Sequence, residues 1–130
     1  MIGLDTNVLV RLLVGDDKKE FAAAKRAVSK MTPSEPSYLT IVTLVETFWV
    51  LTRGYKLAAG DALRTLTDVV DRDDVVVQDE PVIRHALRKA DSGADFPDAV
   101  IMCTCTAAGA GSVLTFDRRA ARSLGMTLLH

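Results

Sequence analysis

Cysteine and histidine are scarce in this chain, which limits the chemistry that its side chains can perform. Its 130 residues include two cysteines and two histidines. Cys103 and Cys105 would point to different faces of a helix, and they lack the spacing and companion ligands of a zinc site. We expect both to be buried structural thiols. His85 and His130 are isolated, and no serine–histidine or cysteine–histidine arrangement supplies a covalent nucleophile.

The chain also lacks a long uninterrupted apolar segment and a strong net charge. Its longest apolar run, residues 41–51, is interrupted by Glu46 and by threonines, which argues against a membrane span. No basic region followed by an apolar region precedes the first strand pattern, so we expect no signal peptide and a soluble, cytoplasmic protein. The net charge of −1 neither favours nor excludes nucleic acid as a partner.

Length, composition and periodicity predict one globular α/β domain over residues 1–130. Helical patterns alternate with strand-like runs at 1–4, 37–39, 75–77, 112–115 and 126–129. This alternation predicts a central parallel sheet covered on both faces, which is a three-layer α/β/α architecture. The helix after Thr40 is expected to extend to about Arg53, and Asp79 with Pro81 is expected to open another helix.

Four acidic residues stand where α/β proteins build their sites: Asp5, Glu46, Asp98 and Asp117. Three of them follow strand-like runs, directly or after one helical turn, and ligands of open parallel sheets bind outside the carboxyl ends of the strands. Two carboxylates about 5 Å apart repel by roughly 3 kcal/mol at an effective dielectric near 20. If the acids converge, they therefore need a cation, a raised pKa or basic partners. Oxygen ligands alone favour magnesium or manganese over zinc.

Each acid also has an ordinary structural explanation. Asp5 and Asp117 suit the N-cap of a helix. If Asp95 caps the next helix, Asp98 falls in its first turn, where a carboxylate suits the helix dipole. Glu46 is harder to explain in this way, because its neighbours one turn away are apolar and an unpaired buried carboxylate is costly. We expect Glu46 to be paired, hydrogen-bonded or functional.

Four ordered segments make the chain resemble the PIN-domain family, and within it the VapC-type toxin ribonucleases of type II toxin–antitoxin systems. Each segment is weak alone, but the ordered set is specific and the resemblance extends from Ile2 to Leu129. The segments are Leu4-Asp5-Thr6-Asn7-Val8-Leu9, Leu44-Val45-Glu46-Thr47-Phe48-Trp49-Val50-Leu51, Ala94-Asp95-Phe96-Pro97-Asp98-Ala99-Val100-Ile101 and Thr115-Phe116-Asp117-Arg118.

The resemblance implies a three-layer α/β/α endoribonuclease that depends on Mg²⁺ or Mn²⁺. Asp5 and Asp98 would hold the metal most directly, and Glu46 and Asp117 would act through water or a second metal. A metal-bound water would attack phosphorus, leaving a 5′-phosphate and a 3′-hydroxyl. Polar side chains at three further positions would support the acids or the scissile phosphate, namely Thr6, Asn7 and Thr115.

The resemblance also implies partners, since VapC-like proteins are typically homodimers held inactive by a cognate antitoxin. The helix around Glu46 is apolar on more than one face, so its excess apolar surface could receive a partner helix. Trp49 belongs either to that surface or to the core. Basic side chains available for an RNA backbone are Arg11, Arg84, Arg88, Lys89, Arg118, Arg119 and Arg122.

Two other functions stay open on the sequence alone: a catalytically weak PIN-fold module that binds protein, and a housekeeping nuclease that processes RNA. A haloacid-dehalogenase-type phosphatase fits poorly, because Thr6 and Asn7 follow Asp5 where a second aspartate is needed. A receiver domain fits poorly as well, since it would need an acidic pair after the first strand.

Overall fold

The computed structural model describes all 130 residues, which form seven α-helices, one π-helical turn and five short strands. The strands are β1 (Ile2–Gly3), β2 (Ser37–Leu39), β3 (Val75–Val77), β4 (Leu114–Thr115) and β5 (Thr127–Leu128). The helices are α1 (Thr6–Val14), α2 (Lys18–Val28), α3 (Ile41–Trp49), α4 (Ala59–Val70), α5 (Glu80–Asp91), α6 (Phe96–Ala107) and α7 (Arg118–Leu124), and the π-helical turn is Val50–Gly54.

The chain divides into two compact units, Met1–Gln78 and Asp79–His130, each with its own parallel strands. The first unit holds a three-stranded sheet in the order β1-β2-β3, and the second holds the β4-β5 pair. The predicted parallel pairing is confirmed, although the strands form two sheets rather than one. None of the helices combines the length and the apolar character needed to cross a membrane.

In the first unit, α3 anchors the core and follows directly from the central strand. Leu39 at the end of β2 is fully buried, and the hydroxyl of Thr40 then accepts a hydrogen bond from the backbone N–H of Thr43 at 3.1 Å. This cap starts the helix where the sequence predicted it. Leu44 and Phe48 lie one turn apart on the buried face, as their spacing requires.

The predicted extent of this helix is confirmed, but its last turn is π-helical. The hydroxyl of Thr52 donates to the carbonyl of Phe48 at 2.8 Å, and the N–H of Tyr55 donates to the carbonyl of Val50 at 3.0 Å. The hydroxyl of Tyr55 in turn donates to Asp16 at 2.7 Å. Side-chain and backbone hydrogen bonds therefore both stabilise this wider turn.

In the second unit, α5 and α6 pack against each other through small and aliphatic side chains. Residues at helical spacing are buried on both helices, namely Ile83, Ala86, Leu87 and Ala90 on α5 and Ala99, Val100 and Cys103 on α6. Both cysteines are free thiols, and the prediction of buried thiols is confirmed for Cys103 but wrong for Cys105, which is partly exposed because it lies two residues further along α6 and so points to a different face. The prediction that Asp79 and Pro81 open α5 is confirmed, although Asp79 has a positive φ of 45° and its side chain makes no capping hydrogen bond.

Replacing Leu44 with alanine should destabilise the protein by about 2–5 kcal/mol, because the side chain is fully buried and its loss leaves a cavity. Val42 on the same helix is 64% exposed, so Val42→Ala should change stability by no more than about 0.5 kcal/mol. Urea denaturation of both variants measures the difference. Equal losses would contradict this assignment of the faces of α3.

Candidate functional site

Asp5 lies at the carboxyl end of β1 and caps α1. The N–H of Leu4 donates to the carbonyl of Tyr38 at 3.1 Å, which continues the parallel pairing beyond Gly3. The Oδ1 atom of Asp5 then accepts the N–H of Val8 at 3.0 Å. Asp5 is exposed, and its second oxygen makes no hydrogen bond within the chain. One oxygen therefore serves the helix while the other is free for a ligand.

Glu46 is held at the same strand end as Asp5 by a contact between residues distant in sequence. The hydroxyl of Thr6 donates to Oε1 of Glu46 at 2.7 Å, across 40 residues of chain. Thr43 also faces this strand end, with its hydroxyl 3.4 Å from the carbonyl oxygen of Leu4. The expectation that Glu46 is hydrogen-bonded is confirmed. The apolar neighbours suggested a buried carboxylate, but Glu46 is exposed, because this face of α3 is not covered by the unit.

Asn7 and Asp5 line a cavity of about 390 Å³ between α1 and α2. Arg11 also lines it, but its guanidinium is already engaged with Glu20 at 2.8 Å and with Tyr55 at 3.2 Å. These hydrogen bonds, that with Glu20 foremost, raise the pKa of Arg11 above its usual value. Arg11 is therefore less available for phosphate than the sequence suggested, whereas the amide of Asn7 has no partner within the chain.

In the second unit, Asp95 directly precedes α6 and Asp98 lies in the first turn of this helix. The Oδ2 atom of Asp95 accepts the N–H of Asp98 at 3.2 Å, which confirms Asp95 as the cap. Burial is the main cause that raises the pKa of Asp98, followed by the charges of Asp95 and Asp117, whereas Arg119 lowers it. Asp98 is thus a half-buried carboxylate with acidic neighbours.

Asp117 follows β4 and caps α7 with a single oxygen. Its Oδ1 atom accepts the N–H groups of Arg119 at 2.8 Å and Ala120 at 3.1 Å, and its second oxygen makes no hydrogen bond within the chain. The hydroxyl oxygen of Thr115 accepts the N–H of Asp117 at 3.0 Å. Arg119 donates from Nη2 to the carbonyl of Gly93 at 2.8 Å. Thr115 and Arg119 therefore fix the surroundings of this carboxylate.

The structure thus places the predicted residues in two groups, one in each unit. Asp5, Thr6 and Glu46 come together in the first unit, with Asn7 exposed on the following turn. Asp98, Thr115 and Asp117 belong to the second. The sequence offered Arg119 only as one of seven basic residues, and its anchor on Gly93 had no local signal.

The donor atoms of both groups fit a hard divalent cation. All of them are carboxylate, hydroxyl or amide groups, which suit Mg²⁺ and Mn²⁺. Within either unit, no group of three or more acidic, histidine or cysteine side chains is close enough to hold a metal ion. Mg²⁺ does not need such a cluster, because it keeps several waters and binds through one or two carboxylates.

The protein is of the α/β class. Its parallel strands are followed by helices, and aspartate carboxylates cap helices at the ends of strands. The model of the PIN domain family matches residues 2–123, and the chain therefore belongs to the PIN domain family. This match confirms the predicted α/β/α fold class. PIN domains are generally nucleases, which places the chain among hydrolases that act on nucleic acid. No curated protein sequence matches the chain significantly.

Replacing Asp98 with asparagine should leave the metal-free protein as stable as wild type or more stable. The raised pKa means that ionised Asp98 opposes folding, and asparagine removes the charge but keeps the N–H that Asp95 accepts. The pKa of Asp98 is higher in the folded state than in the unfolded state. The loss of stability caused by ionising Asp98 is therefore absent below the unfolded-state pKa, and it grows as the pH rises through the folded-state pKa. Thermal melts in chelator should show that the Tm of Asp98→Asn exceeds that of wild type by an amount that increases from acidic to neutral pH.

The matched control for this prediction is Asp95→Ala, which removes the cap of the same helix. It should lower stability by about 1 kcal/mol. A comparable loss in Asp98→Asn would mean that Asp98 is a structural residue and would contradict the electrostatic assignment.

Proposed function

We propose that this PIN domain is a Mg²⁺- or Mn²⁺-dependent endoribonuclease and the toxin component of a type II toxin–antitoxin module. The observation that supports the nuclease part best is the hydrogen bond from Thr6 to Glu46. It keeps an acid of α3 beside the residue that follows Asp5, at the carboxyl end of a parallel strand. We also propose that residues 1–130 act as one domain, since the family match runs through both units.

In this proposal, four acids serve the reaction, and each keeps an oxygen for it. Asp5 and Asp98 would hold the cation, and Glu46 and Asp117 would act through water. When bound, the cation would lower the pKa of a water molecule and offset charge on the phosphate oxygens. Asp5 and Asp117 each commit one oxygen to a helix cap, so the other can face a ligand.

The three polar residues have different roles, because their hydrogen bonds differ. Thr6 gives its hydroxyl proton to Glu46 and therefore orients that acid. Thr115 accepts a hydrogen bond from the N–H of Asp117, so its own hydroxyl proton stays available for a phosphate oxygen. Asn7 is exposed on α1 and can donate from its amide.

Chelation should abolish RNA cleavage by the purified protein, and added Mg²⁺ or Mn²⁺ should restore it. Asp98→Asn should reduce the metal-supported rate about 100-fold or more, since it replaces an anionic ligand with a neutral amide and so weakens binding of a cation that is worth several kcal/mol in the transition state. The matched control is Asp91→Asn, which neutralises an exposed acid at the end of α5 and should cleave at the wild-type rate. Gel analysis of labelled RNA provides the measurement.

Either of two results would reject the nuclease proposal. One is undiminished cleavage in chelator, and the other is an equal loss of activity in both asparagine variants. A protein that folds and binds a partner but never cleaves RNA would instead be the catalytically weak binding module. A nuclease whose neighbouring gene encodes no antitoxin would be a housekeeping enzyme.

The toxin part of the proposal is supported by an uncovered face of α3. Val42 is 64% exposed and Trp49 is 39% exposed, and the guanidinium of Arg53 lies 5.3 Å from the centroid of the Trp49 ring. Trp49 is therefore partly on the surface rather than wholly in the core. Glu46 lies one turn from both Val42 and Trp49, so a partner helix across this face would meet a carboxylate.

We propose that the occupant is an amphipathic helix of a small antitoxin, bound by a homodimer of this chain. An arginine of that helix would pair with Glu46 or Asp5, and Asp98 is a further target for a basic side chain. Arginine suits this role because its guanidinium can bind a carboxylate through two hydrogen bonds and can displace a metal.

Trp49→Ala should weaken capture of the neighbouring gene product about 30-fold, because a buried tryptophan at an interface is commonly worth about 2 kcal/mol or more. Ile101→Ala is the control, since Ile101 is 51% exposed and belongs to α6 rather than α3. Titration of the labelled partner measures both affinities. Arginine-to-alanine scanning of the partner should then restore RNA cleavage, and inhibition that survives removal of every arginine would disprove the acid-binding part.

A further inference from the structure

Phe116 is the most exposed large apolar side chain of the protein. It is 79% exposed and stands between Thr115 and Asp117, two of the proposed site residues. Full burial of a phenylalanine is worth about 1.5–3 kcal/mol, and the fold forgoes most of that here. An aromatic ring left in water beside an acidic site requires an explanation of its own.

The backbone on both sides of Phe116 is fixed. The carbonyl of Thr115 accepts the N–H of Leu129 at 2.8 Å, and the hydroxyl oxygen of Thr115 accepts the N–H of Asp117 at 3.0 Å. Asp117 is tied in turn to the start of α7. The backbone that carries the ring is therefore held in place by the same hydrogen bonds that set Thr115 and Asp117.

Positive charge follows the ring immediately in the chain. Residues 117–122 contain three arginines and one aspartate. Arg118 and Arg122 are exposed and make no ion pair within the chain, whereas Arg119 is tethered to the carbonyl of Gly93. An exposed aromatic ring with free guanidinium groups is the combination that single-stranded nucleic acids bind, because the ring stacks on a base and the cations meet phosphates.

We propose that Phe116 is a base-stacking residue, which holds an unpaired base next to the phosphate handled by Thr115 and Asp117. The inference rests on the proposed nuclease function and adds a specificity determinant to it. Bases within a duplex are already stacked on both faces, so the ring selects unpaired nucleotides. A purine offers a larger ring than a pyrimidine and is preferred at this position.

The charge of this surface favours RNA over a second copy of the chain as the occupant. A two-fold symmetric contact through Phe116 would bring the arginines of one copy against the same arginines of the other. Such a contact places like charges together, whereas a polyanion neutralises them.

The test measures binding apart from cleavage, with Asp98→Asn present in every protein to prevent turnover. Fluorescence anisotropy gives the Kd of a labelled single-stranded RNA of defined sequence, and of versions in which one base at a time is abasic. The parent protein, which retains Phe116, is compared with the Phe116→Ala, Phe116→Leu and Phe116→Trp variants. Ile101→Ala is the control for an exposed apolar residue elsewhere in the same unit.

One abasic position should weaken binding about tenfold when phenylalanine is present, as expected for the loss of one stacked base. Phe116→Ala and Phe116→Leu should bind intact RNA about tenfold more weakly than the parent protein does. Removing the base at the sensitive position should not weaken their binding any further. Phe116→Trp and Ile101→Ala should bind intact RNA as tightly as the parent protein.

The proposal is overturned if the losses of affinity caused by Phe116→Ala and by removing a base multiply at every position of the RNA. It is also overturned if Phe116→Leu binds RNA as tightly as the parent protein, or if the parent protein binds no RNA. It is also overturned if size-exclusion chromatography shows that Phe116→Ala changes the oligomeric state and that the loss of affinity follows this change. Cleavage by protein with native Asp98 is scored separately. Coupling between Phe116 and one base without any cleavage would leave the stacking role intact and reject the nuclease.

Discussion

A helix that begins directly after a parallel strand leaves backbone N–H groups without partners, and aspartates meet that requirement here. Asp5 accepts from Val8 through Oδ1, and Asp117 accepts from Arg119 through Oδ1. Each carboxylate satisfies the helix with one oxygen and keeps the other outside the hydrogen-bonded structure. The structural and functional explanations of these acids are therefore compatible, because they use different oxygens of one side chain.

Features set by neighbours in sequence were predictable. The side chain of Asp17 accepts the N–H of Glu20 at 2.9 Å, and that of Asp95 accepts the N–H of Asp98, as the spacing of three residues indicated. The buried stripe of α3 through Leu44 and Phe48 also followed from helical periodicity. The positions of Asp5, Asp98 and Asp117 near strand ends also indicated candidate acids, and the resemblance to the PIN family then assigned roles to these residues and to Glu46 among the seventeen acidic residues.

Features set by distant contacts were not predictable in the same way. Glu46 meets its partner Thr6 across 40 residues, and no local pattern distinguishes that arrangement from a buried carboxylate. The π-helical turn after Trp49 depends on hydrogen bonds at Thr52 and Tyr55 that helical periodicity does not encode. Asp79 has a positive φ although the residues before α5 resemble an ordinary cap. A tertiary contact decided the case of Glu46, as often happens over local propensity, whereas the π-helical turn and the φ of Asp79 are local backbone features that periodicity does not encode.

The surroundings of Asp98 in the second unit disfavour its ionised form. Burial and the charges of Asp95 and Asp117 raise the pKa of Asp98, and Arg119 offsets only part of this effect. Arg119 cannot move freely towards the acids, because its Nη2 donates to the carbonyl of Gly93. In the proposed site, positive charge from a ligand would stabilise ionised Asp98. A hard cation and a partner's arginine both supply that charge, so they would compete for the same carboxylate, and occupation by one would exclude the chemistry of the other.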